Sequence, residues 1–316
     1  RMACRNGVAA DRPGRQHGIS SAVEKVKKGV KKIALVAKAD KPSARRIVQR
    51  AAKLAGTAGL TLITDDDTAR LAKLKLPVRT DPAELSRLAD LIMVFGGDGT
   101  MLHWARNTAG SGTPIFGVNI GGMGFLTAAS GKDLAKAMKS VAAGEFTIEP
   151  RTLLSARGQN GSGKFQLKAM NDIVISRGAV PRMIRVEVKV DGEELTVYRC
   201  DGLVISTSTG STAYSLAAGG AIVAPGARVI SITPICPHTL SNRAVIVSHQ
   251  STIEVRMLDC KREATLSADG WDGVDLEANS PVVIRRNRRS VKVARLPDSS
   301  FFKTLRQKLQ WMGSHA

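Results

Sequence analysis

Up to about residue 131 the chain alternates two hydrophobic patterns. Ile33-Ala34-Leu35-Val36-Ala37, Leu91-Ile92-Met93-Val94-Phe95 and Pro114-Ile115-Phe116-Gly117-Val118 are short, continuously apolar runs. Strands buried on both faces of a parallel sheet have this pattern. Residues 60–64 read as a further strand. Residues 44–55 repeat apolar side chains at helical spacing through Ile47, Ala51 and Leu54, and residues 81–89 predict a shorter helix. The alternation predicts a doubly wound α/β domain over residues 32–131. Beyond it one helix, 132–143, leads into strands at 165–175, 183–190, 193–200, 229–232, 244–247, 252–258, 264–268, 281–284 and 290–294. Several of these alternate apolar and polar residues, which predicts a β-sandwich domain over residues 132–296. Residues 301–311 return to helical spacing, so the segment 297–316 is expected to pack back on the α/β domain. Residues 1–31 show no apolar periodicity and are expected to form a disordered basic leader.

Composition narrows the function classes. A chain of 316 residues suits two domains, each with its own core. No apolar run approaches the roughly 18 residues of a membrane span, so no membrane partner is expected. Cys4, Cys200, Cys236 and Cys260 are widely spaced and form no CxxC pair. That argues against a zinc site or disulfide framework and for reduced thiols in a cytoplasmic protein. The net charge is +20, from 47 Lys and Arg against 27 Asp and Glu, with one basic cluster in residues 1–32 and another from Arg285 to Arg295. Such charge attracts polyanions, whether nucleotides or nucleic acid. Aromatic residues make up only 4%, too few to build stacking platforms, so no nucleic-acid partner is expected.

Two stretches carry candidate chemistry. In the first, Gly96-Gly97-Asp98-Gly99-Thr100 joins the apolar run 91–95 to the helix-competent Met101-Leu102-His103-Trp104-Ala105-Arg106. Asp98 is thereby predicted at the carboxyl end of a parallel strand, where open α/β sheets bind ligands. The glycines admit a phosphate close to the backbone, and the next helix aims free N–H groups at it. A carboxylate there repels phosphate unless it accepts a proton or holds a metal. The alternative is a tight turn that happens to contain Asp. No Gly-Lys-Ser/Thr follows, so this is not a Walker A loop. The second stretch runs Asp201-Gly202, then Thr207-Ser208-Thr209-Gly210-Ser211-Thr212-Ala213-Tyr214, and on to Gly219-Gly220. Helix capping accounts for one or two of its hydroxyls; the surplus is expected to hydrogen-bond ribose and amide edges.

The first stretch resembles a motif shared by NAD kinases and by the diacylglycerol- and sphingosine-type lipid kinases. The second resembles the NAD kinases alone, as do Asn171-Asp172-Ile173-Val174-Ile175, Gly117-Val118-Asn119 and Gly124-Phe125-Leu126. The resemblance spans about residues 32–311. It implies an enzyme that transfers the γ-phosphate of ATP to the adenosine-ribose 2′-hydroxyl of NAD. Asp98 would take the hydroxyl proton and Gly99 would give a backbone contact. Asn171, Asp172, Thr212, Ala213 and Tyr214 would hold the bases and riboses, with Asp201 on the nicotinamide half. Ser215, Leu216, Ala217 and Trp271 also fall at family contact positions. So do Arg182 and Arg199, which could equally be strand-surface charges. Gly96, Gly97, Gly121 and Gly122 would border the ATP phosphates. Mg²⁺ or another divalent cation would arrive with ATP, and the chain would form a homo-oligomer, dimer or tetramer. Three positions depart from the family pattern: Asp172 for Glu, Ser208 for Pro, and Ala217 where a Ser hydroxyl is frequent. His238 is read as structural.

Overall fold

In the computed structural model, which describes residues 24–25, 29–38, 43–122, 124–178, 183–238, 243–258 and 264–311, the continuously apolar runs become the interior of a parallel sheet. Strands β1 (Lys32–Ala37), β2 (Thr61–Thr64), β3 (Leu91–Gly96) and β4 (Ile115–Asn119) lie in the order β2-β1-β3-β4. Every pair is parallel. Each face is sealed by helices, which is why these strands tolerate no polar alternation. On one face α1 (Ala44–Thr57) and α5 (Leu134–Ala143) cover Leu35, Met93, Phe95 and Phe116. On the other, α3 (Pro82–Leu88) and α4 (Asp98–Asn107) cover Ala34, Ile92, Val94 and Ile115. Helix α1 buries Ala44, Val48, Ala51 and Ala55, with Ile47 and Leu54 flanking them. Small residues at the centre let the helix approach the sheet closely. Helix α2 (Asp66–Ala72) has no apolar face to announce it; the Asp65 side chain caps it by accepting the Thr68 N–H at 2.9 Å.

The second domain is a sandwich whose two sheets enclose one core containing Leu154, Ile173, Ile175, Val186, Ile205, Ile232, Val255 and Ile284. Its strands are β5 (Thr147–Asn160), β6 (Gly163–Ala169), β7 (Asp172–Arg177), β8 (Ile184–Val190), β9 (Glu193–Cys200) and β10 (Gly202–Thr207). They continue with β11 (Val229–Ile235), β12 (Val245–Ser248), β13 (Ile253–Met257), β14 (Ala264–Ala268), β15 (Trp271–Leu276) and β16 (Pro281–Arg295). One sheet has the order β12-β11-β10-β7-β14-β15. The other, β9-β8-β13-β16, runs on through β16 into β4 and the parallel sheet. Strand β16 is antiparallel to β13 and β5 but parallel to β4. After it, α6 (Phe301–Lys308) turns back, and Phe301 meets Phe125 beside the α/β domain at 6.1 Å between ring centroids.

Several expectations change. Strand β5 went unrecognised, because Pro150, Arg151 and Thr152 interrupt its apolar pattern. The single strand expected over 165–175 is two, broken at Met170-Asn171, and the pair expected at 281–284 and 290–294 is the one strand β16 with a bulge between Arg286 and Ser290. The leader does not lie wholly outside the fold. Glu24 and Lys25 pair with Ile148 and Thr147, Val30 is buried against the α/β core, and the Lys31 carbonyl accepts the Thr61 N–H at 2.8 Å. Residues 1–23 and 26–28 fall outside the described residues. Among the described residues no helix is long and apolar enough to cross a membrane.

Candidate active site

Asp98 is the first residue of α4 rather than part of a turn before it, with extended Gly97 as the N-cap. Gly96 ends β3 with the Thr100 side chain lying where its Cβ would be. The half-buried Asp98 carboxylate is clasped by the loop that leaves β4: Phe125 N–H donates to Oδ2 at 2.9 Å and Leu126 N–H to Oδ1 at 3.0 Å. Gly124 must lack a side chain, since a Cβ there would collide with the carboxylate. Each oxygen keeps a further lone pair for a substrate proton. From below, Arg295 at the end of β16 donates to the Phe125 carbonyl at 2.6 Å and the Thr127 carbonyl at 2.8 Å. Burial lowers the Arg295 pKa, and the carboxylates of Glu149 and Asp98 oppose that. Asn119 braces the start of the same loop, its Oδ1 accepting the Gly121 N–H at 2.7 Å, while Gly121 and Gly122 stay exposed.

The sandwich domain reaches this site through the turn 269–271. Trp271 lies against the exposed side of α4, 5.5 Å from the His103 ring, with the Arg106 guanidinium 5.0 Å from its centroid. Asp269, with φ 53°, accepts the N–H groups of Met170, Asn171 and Asp172 at 2.9, 2.7 and 3.2 Å. The break in the strand expected over 165–175 is therefore the point where three amides converge on one carboxylate. Asp172 is 4% exposed, and its pKa is pushed up to about 7 by burial and then by Asp269. Asp269 is itself raised by burial against the pull of its hydrogen bonds and of Arg106. The His103 pKa is lowered, first by burial and then by Arg106 and Lys38.

Asn171 passes the arrangement to the hydroxyl-rich loop. Its carbonyl accepts the Thr207 N–H at 2.8 Å, and Gly210 lies against its backbone. The surplus hydroxyls are used differently from expectation. Thr207 donates to the Met170 carbonyl, Ser208 to Pro225, Ser211 to Ser208 and Val223, and Ser215 pairs with Thr233. These four fix the loop, whereas the buried Thr209 hydroxyl has no partner among the described residues. Ser208, where the family pattern has Pro, ties the loop by its hydrogen bond of 3.1 Å to the Pro225 carbonyl. Thr212, Ala213 and Leu216 remain half-buried, while Tyr214 and Ala217 are exposed.

Not every predicted residue joins. Arg199, near the end of β9, is exposed, and Asp201, just before β10, pairs with Arg177 at 3.1 Å. The extended chain from Asp201 to Thr207 separates them by roughly 20 Å. Arg182 lies outside the described residues. Sequence reasoning missed His103, Arg106, Asp269 and Arg295. His103 and Arg106 lie one to two turns beyond Asp98, and Asp269-Gly270 is a turn dipeptide next to a Trp, so those three had a signal. Arg295 sat in a basic cluster and had none.

Comparison with known proteins agrees with this geometry. Residues 33–146 match the family described as the ATP-NAD kinase N-terminal domain, and residues 170–296 the ATP-NAD kinase C-terminal domain. The NAD kinase of Syntrophotalea carbinolica is 42% identical over 73% of this chain and 81% of its own. Yeast NADH kinase complexed with NADH superposes with a TM-score of 0.83 at 25% identity, covering 94% of this chain and 92% of that one. An NAD kinase from Archaeoglobus fulgidus in complex with ATP gives 0.68 at 26% identity, over 89% of this chain and 100% of its own. With both halves of the fold matched in order, the chain belongs to the NAD kinase family.

Proposed function

We propose that this kinase moves the terminal phosphoryl group of ATP to the 2′-hydroxyl of the adenosine ribose of NAD, with Asp98 as the general base. The observation that carries the proposal is the Asp98 carboxylate, half-exposed at the positive end of a ten-residue helix and held by two main-chain N–H groups. A secondary hydroxyl is a weak nucleophile. A fixed carboxylate accepts its proton as the oxygen attacks the γ-phosphorus, and ADP leaves with the bridging oxygen and its electron pair. The N–H groups at the start of α4, with Lys38 nearby at the end of β1, would offset the phosphate charge. Asn171, Asp172 and the 212–214 segment would hold the base and ribose of NAD. Among the described residues no three His, Cys, Asp or Glu side chains converge into a metal cage, so Mg²⁺ enters this reading as part of the MgATP substrate.

Asp98→Asn keeps the shape and, through its one remaining oxygen, one of the two N–H contacts, but accepts no proton. Turnover is expected to fall by about two to four orders of magnitude while the dissociation constant for NAD changes little. Near-normal NADP formation by this variant would remove Asp98 from the chemistry.

A further inference from the structure

We infer that Arg295 is a positioning residue for Asp98, acting through the main chain of residues 125–127. The inference rests on the role proposed for Asp98. Four polar groups of this short segment are gripped from two sides. The N–H groups of Phe125 and Leu126 donate to the two Asp98 oxygens, and the carbonyls of Phe125 and Thr127 accept from the two terminal nitrogens of Arg295. The peptide plane that links Phe125 to Leu126 therefore carries an Arg295 bond on its oxygen and an Asp98 bond on its nitrogen. Rotating that plane would break both at once. A planar guanidinium fork fixes two acceptors in one geometry, which an ammonium cannot do.

The fork is itself supported. The Arg295 side chain is 12% exposed, and Glu149 lies 3.7 Å from its Nε. Glu149 also pairs with buried Arg151. Because Arg295 sits on β16, the strand common to both domains, the carboxylate is referenced to the rigid sheet rather than to a free loop. Arg295 need not touch either substrate. Its effect should appear in kcat, through the placement of the base, more than in substrate binding.

The test is a double-mutant cycle between Arg295→Lys and Asp98→Asn, with kcat, KM for NAD and the melting midpoint read for all four proteins. Arg295→Lys is expected to lower kcat by about 10- to 100-fold with KM for NAD within about threefold. In the Asp98→Asn background, the same change is expected to lower kcat by less than about threefold, since no base remains to misplace. An equal fold-loss in both backgrounds, or unchanged kcat in the single variant, would overturn the inference. Should the lysine variant fail to fold, Arg295→Gln keeps a donor for one carbonyl and enters the same cycle with the same criteria. If Asp98→Asn alone leaves turnover intact, the function proposed above fails first, and the two failures remain distinct.

Discussion

Asp172 shows what burial beside a second carboxyl group does to an acid. Its carboxyl sits close to Asp269, and its pKa near 7 means that the folded protein retains a proton the unfolded chain would release near 3.8. An acid with a raised folded pKa contributes stability that is complete below the unfolded value and is lost as pH climbs to about 7. Asp172→Asn cannot ionise. It should match the parent's stability at pH 4 and exceed it at pH 8 by on the order of 2–4 kcal/mol. Melting curves from pH 4 to 9 check this, and a constant offset between the two proteins would exclude Asp172 as the titrating group. At this scale the sequence was legible in part. The glycines and Asp98 declared the strand-to-helix junction whose carboxylate the loop after β4 clasps, because few other turns need those residues in that order. The hydroxyls of Thr207, Ser208, Ser211 and Ser215 misled, because a Ser or Thr that ties a loop and one that faces a ligand look alike until their partners are seen.

Elements built from one pattern were the easiest to read. Strands β1, β3 and β4 are apolar throughout because both of their faces are covered, and each was expected within a residue or so of its place. Strand β5 pairs with β16 along ten positions yet reads as broken, since Pro150 and Arg151 sit where one sheet passes into the other. The approach of the hydroxyl-rich loop to Asn171 gives a test at this scale. A Cβ at position 210 would lie 2.6 Å from the Asn171 Cα, with the Asn171 carbonyl closer still and no flexible side chain to yield. Gly210→Ala should cost about 1–3 kcal/mol of stability and raise KM for NAD more than it lowers kcat. Denaturant melts with steady-state kinetics measure both, and a variant as stable as the parent with unchanged KM would refute the tight packing.

For the whole molecule, the boundary expected at residue 31 falls too late. Val30 is 7% exposed in the α/β core, and the main chain of Lys31 both donates to Asp90 and receives Thr61. Deleting residues 1–31 is therefore expected to lower the melting temperature by on the order of 5 °C. A scanning fluorimetry trace superposable on the parent's would show that these contacts contribute nothing. The two-domain division was legible because periodicity changes near residue 131, but the covalent sharing of β16 was not, since its bulge looks like a turn. That sharing bears on how the protein comes apart. A strand of 15 residues, laddered to the sandwich at one end and to the parallel sheet at the other, leaves neither half able to lose its sheet without exposing an edge of its neighbour. Two lobes joined by a loop would melt as two events. Here the halves should melt as one cooperative unit, with a single calorimetric peak whose van't Hoff enthalpy equals its measured heat.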